Sequence, residues 1–169
     1  MATLLKFDHS ASAAHTGTQR FCSRCGEAGA PPPPRGRPLR ERRVCEACGM
    51  GVLLSCAREA LPGMGAAFII ATADLSVSAV SSAGEMLFGL EEDLLGVPLV
   101  SLMKATGGKE RLARTVATAA LRNRPPTVLT MRGLTPNAEA AGLLAARIST
   151  CQPPRGALIT VGPANLSSI

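Results

Sequence analysis

The sequence predicts an α+β protein: a five-stranded antiparallel sheet with helices on one face, preceded by a small cysteine-stapled unit. Three observations predict it. Two CxxCG units stand close together near the start, CSRCG at 22–26 and CEACG at 45–49. From Ala66 onward, short β-rich runs and helical runs follow one another, ending in three consecutive strand-like segments. Apolar residues make up 46% of 169, enough for a packed core of about one domain's size.

The elements follow in order. Residues 1–19 are small and polar without a clear period and are expected to form a disordered tail. Residues 20–60 hold five of the six cysteines, with EAGAPPPPRGRPLRERR between the two knuckles. Four consecutive prolines exclude a helix or central strand there, so an extended basic loop is expected. LPGMG at 61–65 marks the boundary, with 61–66 as linker and 67–164 as the larger domain, before a short tail at 165–169.

AFIIATA (67–73) and VSAVS (77–81) read as a strand pair around a turn at Ala73–Leu75. Ser82 with Glu85 forms a capping-box pattern that opens a helix over AGEMLFGL. EEDLLGVPLVSLM (91–103) has helical spacing broken by Gly96 and Pro98, which predicts two short turns. GGKERLARTVATAALRN (107–123) is the one long helix, with Leu112, Val116, Ala119 and Ala120 on one face. PTVLTMRGL (126–134), GLLAARISTC (142–151) and GALITVGPA (156–164) are the closing strands.

The strongest chemical signal is Cys22-x2-Cys25-x19-Cys45-x2-Cys48. Each CxxC turns its backbone so that both sulfurs face one cation, and Gly26 and Gly49 supply freedom where the chain turns tightly. This is the spacing of a four-thiolate zinc ribbon, with one structural zinc per chain as the expected cofactor. A redox pair would favour a βαβ setting that is absent here, and rubredoxin-type iron sites pack aromatics where only Phe21 is near. Cys56 and Cys151 read as small buried hydrophobes. His9 and His15 lie in the tail.

The net charge of +6 is concentrated in residues 1–60, with nine Lys/Arg against five Asp/Glu. Arg35, Arg37, Arg40, Arg42 and Arg43 form its core and are the candidate contacts to nucleic acid or a protein partner. Four zinc-bound thiolates would offset about two of those charges. With no Trp, no Tyr and four Phe, base-stacking surfaces are nearly excluded. The start, MATLLKFDHS, lacks a signal-peptide pattern, and MGAAFIIATA (64–73) is too short to cross a bilayer, so a cytoplasmic location and no membrane association are expected.

AFIIATADLSVSAVSSAGEMLFGLEEDLLGVPLVSLM, with Phe88-Gly89 and Leu95-Gly96-Val97-Pro98-Leu99, resembles the opening of a PAS domain, over about residues 62–164. Ser81 stands where that family often has Asn before its first helix. The resemblance implies a sensory or regulatory module that binds a small ligand or mediates homodimer and partner contacts. It does not extend to the well-known cofactors. SLMKATGGKERL has no cysteine for a flavin adduct, and neither histidine lies in the domain to ligate haem, so neither flavin nor haem is expected. Met86, Met103 and Met131 read as core fillers. No Ser-His-Asp group or Walker motif can be assembled, which points away from an enzyme. The ligand pocket is not identifiable. Two functions remain: a signalling module working through protein contacts, or a transcription regulator using the basic ribbon on nucleic acid.

Overall fold

The computed structural model describes residues 17–29 and 43–164. Nine strands form one antiparallel sheet: β1 (Thr18–Cys22), β2 (Ala28–Gly29), β3 (Leu53–Ala57), β4 (Ala67–Ala71), β5 (Val77–Val80), β6 (Met103–Ala105), β7 (Thr127–Gly133), β8 (Leu143–Gln152) and β9 (Gly156–Pro163). The main path runs β2-β1-β3-β8-β9-β4-β5, with β7 also on β8 and β6 on β7. Among the described residues, five α-helices lie between the strands, besides one 3-10 turn at Arg58–Ala60: α1 (Ser82–Phe88), α2 (Glu91–Leu94), α3 (Leu99–Leu102), α4 (Lys109–Leu121) and α5 (Pro136–Ala140).

This corrects the predicted fold class. A PAS-like five-stranded α+β sheet with a separate ribbon is not what forms. The sheet is a nine-stranded, curled half-barrel, and four of the five helices have seven residues or fewer. The physical reason lies in β8. Its ten residues pair with β9 along one edge and have room on the other for two partners in succession. β7 occupies Leu143–Ile148, and β3 occupies Cys151 and Gln152. The cysteine unit therefore enters the ladder instead of standing apart.

The closing strands and the broken helical run fall close to where the spacing places them. Gly96 and Pro98 separate α2 from α3, and in α4 the residues Leu112, Val116, Ala119 and Ala120 are buried. The main core joins these to sheet residues such as Ile69, Val80, Met131, Ile148 and Ile159. A second core lies on the opposite side, where Phe68, Ile70 and Leu158 meet Phe21, Leu54, Cys56 and Cys151. Strict alternation along β4 explains its uninterrupted apolar run: Phe68 and Ile70 serve one core, Ile69 and Ala71 the other. Phe21 and Phe68 meet edge to face, their centroids 5.8 Å apart.

Two local expectations change. The cap of α1 is Ser81, whose Oγ accepts from the Gly84 and Phe68 N–H groups and donates to the Ala66 carbonyl. Glu85 is consequently free of the predicted capping box. Met103 and Met131 are buried, whereas Met86 is 70% exposed on α1. Among the described residues, no helix is long and apolar enough to cross a membrane.

Candidate metal centre

β1 delivers Cys22 into a tight turn that carries Cys25, and the chain returns as β2. Cys22 N–H donates to the Glu27 carbonyl and Gly26 N–H to the Cys22 carbonyl, closing the first knuckle. A second hairpin, bridged at Val44 and Val52, carries Cys45 and Cys48. Its backbone closes through Cys45 N–H to the Gly51 carbonyl and Gly49 N–H to the Cys45 carbonyl. Gly26 and Gly49 adopt φ of 75° and 69°, the left-handed region that favours glycine. The knuckles are knitted together where Ser23 N–H donates to the Val52 carbonyl and Val52 N–H to Ser23 Oγ.

These turns bring the four sulfurs within 4.8 Å of one another. Cys22 and Cys48 are 3.6 Å apart, Cys25 and Cys45 3.9 Å. A tetrahedron with metal–sulfur bonds of about 2.3 Å has sulfur–sulfur edges of about 3.8 Å. The four cysteines are thus a cluster able to hold one metal ion, and the donor set is the soft thiolate type suited to zinc or iron.

Backbone N–H groups point at two of the sulfurs. Arg24 and Cys25 N–H groups approach Cys22 Sγ at 3.3 and 3.5 Å, and Gly51 N–H approaches Cys48 Sγ at 3.3 Å. The thiols are not equivalent. Backbone donors at Met50 and Gly51 push Cys48 down to about 6, while burial pushes Cys22 up to about 12 and also raises Cys25. Cys48 therefore gives up its proton more readily than Cys22 or Cys25, and a bound cation favours the thiolate form of its ligands.

Two residues of the centre were not singled out from the sequence. Gly51 lies so close that a Cβ there would stand 2.1 Å from Cys22 Sγ. The only available signal was its position two residues after Gly49. Arg24, inside the first CxxC, makes a two-pronged bond to Glu85 at 3.0 and 3.1 Å and another to Glu91 at 3.0 Å. Glu85 also accepts from the Glu91 N–H, and Glu91 accepts from the Val80 N–H. The Arg24 carbonyl accepts from Ser82 N–H, so main chain and side chain both clamp the knuckle to the start of α1. Gly26 fits against the Gly63 carbonyl, and Gly65 N–H donates to the Cys25 carbonyl, completing the attachment.

Of the predicted arginine cluster, Arg43 is described; it is exposed, and its carbonyl accepts from Leu53 N–H. Arg35, Arg37, Arg40 and Arg42 lie outside the described residues, as do His9 and His15. Cys56 and Cys151 are both buried and away from the four-sulfur cluster.

Compared with models of known protein families and with curated protein sequences, the chain matches none of them.

Proposed function

We propose that this chain is a non-enzymatic regulatory module, held together by one structural zinc ion and acting through contacts with a protein partner. The observation that carries the proposal is the four-sulfur cluster with edges of 3.6 and 3.9 Å. Four protein ligands fill a tetrahedral zinc shell and leave no position for water or substrate, which makes the ion a staple and not a catalyst. The Arg24–Glu85–Glu91 clamp supports the same reading, because it transmits the order of the metal site directly to α1.

The contact surface we assign lies on the second knuckle. Val44, Met50 and Val52 are exposed on this one hairpin, at 54%, 71% and 44%. Apolar side chains grouped on a metal-rigidified turn suit a partner's apolar surface at low ordering cost. A groove of about 290 Å³ continues from Met50 and Val52 past Leu54, Ile70 and Ala79, offering space for an inserted side chain. The nucleic-acid reading rests on the arginine cluster, of which Arg43 is exposed among the described residues.

The test pairs metal content with site-specific crosslinking. Purified protein should carry one zinc per chain and be colourless, and Cys45→Ser should lose it. With photoreactive p-benzoylphenylalanine replacing Met50, light should attach a discrete protein partner in cells. The same group replacing exposed Leu121 should not. Iron in place of zinc overturns the staple, and equal labelling from both positions overturns the contact surface.

A further inference from the structure

Two cysteines remain outside the metal centre, Cys56 and Cys151. They are far apart in sequence, yet they are direct partners across the β3–β8 ladder. That ladder has two rungs, Ser55 with Gln152 and Cys56 with Cys151, and it joins the cysteine unit to the rest of the sheet. Residues directly opposite on antiparallel strands have Cα atoms about 4.5–5.5 Å apart. Disulfides need Cα separations of about 4.4–6.8 Å. The register therefore brings the two Cα atoms into the range that a disulfide spans.

A route from solvent also exists. Pairing of β7 with β8 ends at Ile148, and pairing of β3 begins at Cys151, so Ser149 and Thr150 sit at the fork without a partner strand on that edge. A cleft of about 200 Å³ lies at this fork, lined by Cys56 together with Ser55, Glu59, Arg124 and Ser149. The Ser149 hydroxyl is buried there with no hydrogen-bond partner. A molecule as small as hydrogen peroxide fits this space.

We propose that Cys56 and Cys151 are a modification site, forming a cross-strand disulfide with a two-electron oxidant of the peroxide class. The Cys56 thiolate attacks the peroxide O–O bond and becomes a sulfenic acid, and the hydroxide released takes up the proton that the Cys56 thiol gave up, forming the first water. Cys151 sulfur then attacks the Cys56 sulfur, the S–O bond breaks, and water leaves with the Cys151 proton. Two thiols lose two electrons, the peroxide gains them, and two waters are formed. Burial pushes both thiols up to about 12, so the bond forms slowly at neutral pH. Once formed, it fastens the two-rung junction covalently and closes a loop of roughly a hundred residues. This inference stands whether or not the proposed function holds.

The experiment treats the purified, metal-loaded protein with stoichiometric hydrogen peroxide at pH 8, caps remaining thiols, and maps tryptic peptides by mass spectrometry. Metal release is followed in parallel with a chromophoric chelator. The expected result is a peptide ending at Arg58 linked through Cys56 to the peptide containing Cys151. Tm should rise by roughly 5–15 °C, and Cys56→Ser should abolish both changes. Mapping the unsubstituted chain requires no variant to fold. Capped Cys56 and Cys151 after complete metal release would overturn the proposal.

Discussion

Replacing Gly51 by alanine tests the metal centre where it is most tightly built. The added Cβ would stand 2.1 Å from Cys22 Sγ and 3.0 Å from both Cβ and N of Arg24. Ordinary carbon contacts begin at about 3.5 Å, so the sulfur must retreat by roughly 1.4 Å. Metal sites tolerate ligand displacements of about 0.2 Å. The Cys22 sulfur cannot both clear the methyl group and keep its place in the tetrahedron. Arg24 blocks the alternative, because its backbone and side chain tie the first knuckle to α1. We expect Gly51→Ala to weaken metal binding by at least about 100-fold, more than loss of an outer-shell partner costs. Competition against a chromophoric chelator of known zinc affinity reads this directly. Gly49→Ala is the comparison: nothing lies within 4 Å of its Cβ, and the penalty is the left-handed φ of 69° alone, about 1–2 kcal/mol. It should retain stoichiometric metal. Wild-type affinity in Gly51→Ala would refute the close-packed knuckle.

The clamp and the buried cap yield two further tests. Arg24→Ala should lower stability by about 1–2 kcal/mol, since it removes a two-pronged and a single charge-assisted bond of partly buried groups, and thermal denaturation of the metal-loaded protein measures it. Glu85 adds a pH signature: the Glu91 N–H, followed by the Arg24 guanidinium, holds its carboxyl below the usual range. A depressed folded-state value means stability present above the unfolded value, about pH 4.5, and lost as pH falls through the folded one. The Tm difference between wild type and Glu85→Gln should therefore shrink on acidification, and a constant difference would contradict the assignment. Ser81→Ala should cost about 2 kcal/mol or more by urea titration, because it strands the buried Phe68 N–H and Ala66 carbonyl and also removes the α1 cap.

What the sequence determined by itself is local. The CxxCG repeats announce four converging sulfurs because each knuckle is a short-range turn whose geometry the glycines permit. The buried face of α4 and the three closing strands were legible for the same reason: periodicity within one segment reports which side meets a core. Only the tertiary structure decided how the segments meet. That β8 would accept β3 and β7 in tandem depends on strand length and register across distant segments, and this turned an expected separate ribbon into part of a nine-stranded sheet. Gly51 against Cys22, Arg24 against Glu85, and Cys56 opposite Cys151 are likewise products of that register. No spacing rule links such pairs, because their proximity is set by which strands lie side by side and not by the chain between them.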